Sequence, residues 1–298
     1  MALFSSPGAR REKERESLFP ADSVLRIPDL TEQEFNNFCQ LIRQHAGIHL
    51  TTQKKELVRA RLMKIMRARS LASFQDYYRQ VLEDRSGAEL TLLLDAISTN
   101  QTAFWREPTH FLYLAQEILP LWSKQVRGNP RWRFWSAGCS SGEEPYTLVM
   151  VLLDALSGYD LSGVKIHASD ISTEMLAHAQ RGVYPITRVE PLSPEWRRRF
   201  FQKGVNRWEG FVRVKREVRA MVQFFRLNFM DPFSFNEEFD LIFCRNVMIY
   251  FEKPTQAELI NKFYKCLRPG GYLFIGHSES LCSTNHRFIY VKPTIYRK

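Results

Sequence analysis

Arg133-Phe134-Trp135-Ser136-Ala137-Gly138-Cys139-Ser140-Ser141-Gly142-Glu143-Glu144-Pro145-Tyr146-Thr147 is the stretch on which the fold of this 298-residue chain turns. The apolar run from Phe134 to Ala137 reads as a strand and breaks at Gly138. Small residues lead to Gly142, and Glu143, Glu144 and Pro145 open a helical pattern. Proline is tolerated in a first helical turn because the N–H it lacks would have no intrahelical acceptor. Strand, small-residue turn and helix N-terminus together make the ligand-binding corner of a doubly wound α/β sheet. Such corners often hold phosphate on the positive helix end. Two glutamates in the first turn repel a diphosphate and favour a neutral or cationic cofactor.

Working outward towards the C-terminus, Val164 to Ser169 reads as a second strand with Asp170 at its tip, where a carboxylate hydrogen-bonds a ribose diol. The span from Gly138 to Asp170 exceeds the roughly 20 residues of a dinucleotide fingerprint, and G-C-S-S-G is not G-x-G-x-x-G, so a nicotinamide reading is weakened. Ser172 to Gln180 and Pro194 to Phe201 are helical. Trp208 to Val214 and Met221 to Phe225 alternate like antiparallel strands and predict an inserted β subdomain over about 203–226. This is either a decorative edge or a strand edge that captures an extended peptide. Phe239 to Cys244 is a buried strand ending in Arg245 and Asn246. A helix from Thr255 to Leu267 and strands at Tyr272 to Gly276, Phe288 to Val291 and Thr294 to Tyr296 complete the sheet. His277 and Ser278 lack a nucleophile elbow, and no triad is read.

Towards the N-terminus the chain is helical. Residues 1–22 carry the run Arg10-Arg11-Glu12-Lys13-Glu14-Arg15-Glu16 without an apolar core, and are expected to be a disordered arm rather than a signal peptide. Residues 23–107 form an all-α domain that begins at the capping box Thr31-Glu32-Gln33-Glu34. Its second helix, about Gln53 to Ser70, sets Leu57, Leu62, Ile65 and Met66 against Lys54, Lys55, Arg59, Arg61, Lys64, Arg67 and Arg69, with one acid, Glu56. This is a solvated face or a docking surface for an acidic partner. Without interleaved aromatics it favours protein over single-stranded nucleic acid. Ser98 to Glu107 breaks the helical period as a capped turn whose Phe104 and Trp105 pack inward. Pro108 opens a helix to about Val126, and residues 108–298 form the α/β domain.

Composition narrows the function classes. The 42 Lys and Arg against 32 Asp and Glu give a net charge of +10, a preference for acidic partners of unspecified kind. No apolar run approaches the roughly 20 residues that span a bilayer, so no membrane insertion is expected. Five scattered cysteines without a C-x-x-C pair support neither a disulfide framework nor a zinc site; no metal is read, and the expected compartment is the cytoplasm.

Five strings in order resemble a known family. They are Thr99 to Glu107, Trp135 to Ala137 with Gly142 to Tyr146, Ala168 to Ile171, Phe243 to Phe251 and Gly276 to Glu279. From Thr31 onward the chain is similar to the chemotaxis receptor methyltransferases, enzymes that use S-adenosylmethionine to methylate receptor glutamates. The resemblance implies a helical domain followed by a class I, Rossmann-like methyltransferase domain with a small antiparallel β subdomain inserted. It implies that Asn100, Thr102 and Arg106 line the cofactor pocket from the interdomain side, with Gly138, Glu144 and Asp170 at the corner. Asn228 and Phe229 would meet the adenine, and Arg245 and Asn246 would close the strand-end side. Phe229 stands where relatives carry leucine. Enteric members dock a receptor C-terminal pentapeptide on a G-x-G-x-x-x-G loop. Here Gly204-Val205-Asn206-Arg207-Trp208-Glu209-Gly210 has Asn206 at the middle glycine, a residue that tolerates positive φ.

A glutamate is already ionised near neutral pH, so methylating it requires orientation rather than a general base. Arg106 as a guanidinium fork and Tyr250 as a hydroxyl donor are the candidate catalytic pair. S-adenosylhomocysteine is the product, chemoreceptor cytoplasmic domains are the partners, and a monomer is expected. Two rivals stand. The basic helix would suit an RNA methyltransferase, although Cys244-Arg245-Asn246-Val247 lacks an Asn-Pro-Pro-aromatic string and Cys244 reads as a core residue. The other is a non-catalytic adaptor that binds receptors and adenosylmethionine, which the presence of Arg106 and Tyr250 argues against.

Overall fold

The computed structural model describes residues 28–126, 128–282 and 284–298, and the arm expected over residues 1–22 lies outside them. Among the described residues the chain opens with α1 (Glu32–Ala46), α2 (Lys55–Ala68), α3 (Phe74–Glu83) and α4 (Ala88–Ile97). The Glu34 N–H donates to Thr31 Oγ1 at 3.2 Å and the Thr31 N–H donates back to the Glu34 carboxylate at 2.9 Å, fixing the start of α1. Phe35, Phe38, Leu62, Tyr77 and Leu93 meet in a core separate from that of the sheet. Leu57 departs from expectation. The stripe at helical spacing is Val58, Leu62, Ile65 and Met66, which leaves Leu57 44% exposed.

After the bundle, α5 (Pro108–Tyr113) runs through a π-helical turn (Leu114–Ile118) into α6 (Leu119–Gln125). Then follow β1 (Arg133–Ala137), α7 (Glu143–Ala155), β2 (Lys165–Asp170), α8 (Thr173–Arg181), β3 (Val183–Pro185), α9 (Pro194–Phe200), β4 (Phe201–Lys203), β5 (Phe211–Val214), α10 (Arg216–Arg219) and β6 (Val222–Arg226). The chain closes with β7 (Phe239–Cys244), α11 (Lys253–Cys266), β8 (Leu267–Ile275), β9 (Ile289–Lys292) and β10 (Ile295–Arg297). The main sheet has the order β6-β2-β1-β7-β8-β10-β9. It is parallel from β6 to β8, and β10 runs antiparallel to both of its neighbours. Alternation along β1 sends Phe134 into the core on one face and Trp135 into the core on the other. Strand order reverses between β1 and β7, which opens a crevice beyond their C-terminal ends.

The inserted subdomain corrects the sequence reading. β3, β5 and β4 form a separate antiparallel sheet beginning at Val183, whereas Val222–Arg226, expected in that insertion, lies parallel to β2 at the edge of the main sheet. Alternation marks a half-buried strand but says nothing about its partner. β3 has only three residues, one a proline, and was too short to be read.

The helical layer caps the crevice. The Thr173 N–H and hydroxyl donate to Asp95 at 2.9 and 2.7 Å, and Arg43 pairs with Glu252 at 2.6 Å. The His49 N–H reaches the Tyr250 carbonyl at 2.8 Å. No helix among the described residues is long and apolar enough to cross a membrane. All five cysteines are free, and burial pushes the Cys244 thiol well above its ordinary range, as an inert core residue requires.

Candidate functional site

Gly138 begins the corner with φ +85°, and a Cβ there would stand 2.4 Å from Val247 Cγ2, so only glycine fits. The Gly138 and Cys139 N–H groups both donate to the Ser169 carbonyl, at 2.8 and 2.9 Å, folding the turn over the tip of β2. Asp170 then ties the corner together. It accepts the Ser140 N–H at 2.7 Å on one oxygen and the Ser172 N–H at 2.9 Å on the other. Burial pushes its carboxyl pKa up, and these backbone bonds oppose that rise. A carboxylate has about four acceptor positions, so further donors can be met by Asp170.

The first-turn glutamates are less free than the sequence implied. Glu143 is fully buried against Arg188 at 2.6 Å, and Glu144 accepts the Ser136 hydroxyl at 2.6 Å and Arg245 Nε at 2.7 Å. Both charges are answered by arginines from distant elements, which helix periodicity cannot reveal. Of the two acids that line the crevice, Asp170 is the one not paired with an arginine, and its carboxylate can accept from a cofactor.

Arg245 is buried, with its guanidinium 5.0 Å from the Phe111 ring centroid and 5.2 Å from that of Phe243. Its Nη1 donates to the Arg106 carbonyl at 2.8 Å and to His110 Nδ1 at 3.2 Å. His110 is neutral, because burial first and the nearby Arg245 and His277 charges second push its pKa down to about 3. With Nδ1 accepting, Nε2 carries the proton and donates to Thr294 Oγ1 at 2.7 Å. The 3.6 Å approach of His110 to Glu107 is accordingly no ion pair. Glu107, His110 and His277 come within 4.8 Å of one another, a spacing a metal accepts, but both His110 nitrogens are engaged and Arg245 already faces Glu107 at 3.5 Å.

On the far side, Glu279 accepts the N–H groups of Gly276, Asn246 and Ile249 at 2.6, 3.0 and 3.3 Å. It holds Asn246 at φ +60°, and Gly276 is required because a Cβ would stand 2.6 Å from Asn246 Nδ2.

The crevice brings the expected residues together. Asn100, Thr102, Arg106, Gly138, Glu144, Asp170, Asn228, Phe229, Arg245, Asn246 and Tyr250 all line it. Asn228 is anchored to the helical domain through the His45 carbonyl at 2.6 Å, while the Phe229 ring packs 5.8 Å from Phe263 in the core. Arg106 donates to the Gln101 carbonyl at 2.7 Å, and Lys54 Nζ lies 5.4 Å from the Tyr250 ring centroid. The turn reading also holds, since Phe104 is buried and Trp105 stacks on Phe111.

The basic face of α2 is more neutralised than expected. Lys55 pairs with Glu32 at 2.5 Å, Arg59 with Asp29 at 2.7 Å and Arg69 with Glu89, while Arg61 holds the Ile97 and Ser98 carbonyls at 2.5 and 3.1 Å. Lys54 and Arg61 line the crevice. Lys64 and Arg67 stay exposed and form no ion pair among the described residues. Apart from Glu56, which approaches Arg59 at 3.5 Å, the acids that pair with these cations lie outside α2.

Sequence reasoning assigned no role to Glu107, His110, Ser140 or Glu279. Glu107 and Glu279 lay inside strings that carried the resemblance, the one available signal. Ser140 and His110 gave none.

Comparison with known proteins agrees with this architecture. Residues 100–297 match the CheR methyltransferase, SAM binding domain, and residues 33–98 match the CheR methyltransferase, all-alpha domain. The chain is 39% identical over 268 residues to the chemotaxis protein methyltransferase of Salmonella typhimurium, covering 90% of each. It is 40% identical over 267 residues to chemotaxis protein methyltransferase 2 of Pseudomonas aeruginosa, covering 89% of this chain and 93% of that one. With its all-α domain, its doubly wound sheet and a corner suited to S-adenosylmethionine, the chain belongs to the CheR methyltransferase family.

Proposed function

We propose that the protein methylates glutamate side-chain carboxylates on the cytoplasmic helices of chemoreceptors, giving glutamyl methyl esters and S-adenosylhomocysteine. The observation that carries this reading is that the acids lining the crevice are held by donors and are not poised as a general base. Among the described residues lining the crevice there is no histidine, and its acids Glu144 and Asp170 are both held by donors. Such a site suits an acceptor that needs no deprotonation, and a carboxylate is ionised near neutral pH.

S-adenosylmethionine supplies an electrophilic methyl group on a sulfonium. Asp170 would hold its ribose diol, the main chain at Asn228 and Phe229 its adenine, and Glu144, Arg245 and Asn246 would wall the strand-end side. Arg106 orients the incoming carboxylate and Tyr250 donates its hydroxyl. Both line the crevice, and the α1–α2 loop packs beside Tyr250. Too tight a grip by Arg106 would stabilise the ionised ground state, so the contact must position rather than trap.

Lys64 and Arg67 form the free part of the docking face for an acidic receptor helix. A receptor C-terminal peptide would add to an edge of the inserted sheet beside the β4–β5 loop, where Val205 and Trp208 are exposed and Asn206 takes φ +54° in place of glycine.

The test is transfer of labelled methyl from S-adenosylmethionine to chemoreceptor-containing membranes, with total RNA offered in parallel. Label on receptors supports the reading; label on RNA alone, or on neither, overturns it.

A further inference from the structure

We infer that Glu107 is a positioning residue for Arg106, acting as an acceptor-only clamp that ties Arg106 to the two strand-end loops of the crevice. The inference rests on the proposed role of Arg106. Arg106 lies between two residues held in the left-handed region, Trp105 at φ +60° and Glu107 at φ +55°. Side chains with a Cβ populate that region sparsely, and two such residues flanking a third persist only where the surroundings over-determine them.

The surroundings do so from three directions. The Trp105 ring stacks on Phe111 at 5.4 Å and meets Trp196 edge-on at 5.0 Å. The Arg106 carbonyl accepts Arg245 Nη1 at 2.8 Å. Glu107 then reaches past the crevice: its Oε1 accepts Asn246 Nδ2 and the His277 N–H, both at 3.2 Å, and its Oε2 faces Arg245 Nη1 at 3.5 Å.

The neighbours of this carboxylate are donors: an amide NH₂, a backbone N–H and a guanidinium. His110 Nδ1, an acceptor 3.6 Å away, is already taken by Arg245. A carboxylate is the side chain that offers acceptors on both oxygens. An amide that keeps its oxygen on Asn246 and His277 sets its NH₂ against the Arg245 guanidinium, which pushes away the group that holds the Arg106 carbonyl. Because Arg245 and Asn246 also line the crevice, the same clamp joins the cofactor wall to the residue that meets the substrate. Misplacement of an orienting group by about 1 Å costs on the order of 100-fold in rate. Loosening the Glu107 clamp should therefore lower turnover and leave cofactor affinity nearly intact.

The experiment is a double-mutant cycle on the full chain, with methyl transfer to chemoreceptor membranes and calorimetric binding of S-adenosylmethionine as paired readouts. Glu107→Gln is expected to lower kcat at least about tenfold and change the cofactor Kd less than about threefold. Glu107→Gly, which satisfies the positive φ and removes the clamp, should lose rate in the same way while keeping the backbone turn. Arg106→Ala combined with Glu107→Gln should turn over as slowly as Arg106→Ala alone. Wild-type kcat in both Glu107 variants overturns the inference, as does a combined variant that loses the full product of the two effects. Wild-type turnover in Arg106→Ala would overturn the reading of Arg106 together with the inference, whereas inactive Arg106→Ala beside two fully active Glu107 variants overturns the inference alone.

Discussion

Arg245 Nε donates to Glu144 Oε2 at 2.7 Å, joining the residue just beyond β7 to the first turn of α7 across the point where strand order reverses. Both partners are buried, so removing Glu144 leaves the Arg245 charge buried with only Glu107, at 3.5 Å, to answer it. Glu144→Ala is expected to destabilise the fold by about 3–5 kcal/mol, read as a lowered denaturant midpoint. An unchanged midpoint would show that the pair does not hold the crevice together.

Asp170 has one oxygen on the Ser140 N–H and the other on the Ser172 N–H. Asp170→Asn keeps the shape and loses the charge, so cofactor affinity should fall by about 10- to 100-fold, the worth of one charged hydrogen bond, with kcat at saturating cofactor recovering most of its value. Calorimetry gives the answer, and an unaltered Kd would remove Asp170 from the cofactor site.

His110 carries a pH dependence. Its pKa in the folded state is about 3, below the ordinary 6.5, so on acidification the unfolded chain takes up a proton that the folded chain refuses. The contribution is complete above the unfolded value and is lost as pH falls through it. From about pH 6 to about pH 5 the wild type should lose about 1 kcal/mol more than His110→Gln, which has no proton to gain there. Parallel stability curves for the two proteins would contradict the buried, neutral histidine.

Much of this was legible beforehand, and the reasons for the remainder are physical. The corner at Gly138, the tip at Asp170 and the strand end at Arg245 and Asn246 are local patterns, and local patterns survive translation into space. The partner of Val222–Arg226 was not local. Two-residue alternation is the same for either sheet, and β2 lies about fifty residues away in sequence. The charge on α2 failed for a related reason: Asp29, Glu32 and Glu89 neutralise it from outside the helix. Glu107 lies within a string that carries the resemblance, but its carboxylate acquires meaning only when Asn246 and His277 arrive beside it.

Lys64 and Arg67 are the α2 cations left for a partner. Reversing both, with Lys64→Glu and Arg67→Glu, should raise KM for receptor membranes several-fold or more, weaken the salt dependence of that KM, and spare cofactor binding. Steady-state kinetics at two ionic strengths would reveal it. A KM that does not move places receptor docking elsewhere on the chain.

The central claim concerns the bond that is formed. Receptor membranes carrying label transferred from S-adenosylmethionine should be exposed to mild alkali and the volatile label collected as methanol. Carboxyl methyl esters release it, and the account predicts near-complete release from receptor protein. Label that stays on the receptor through alkali treatment would mean methylation at nitrogen or another stable acceptor, and would contradict a site built for glutamate carboxylates.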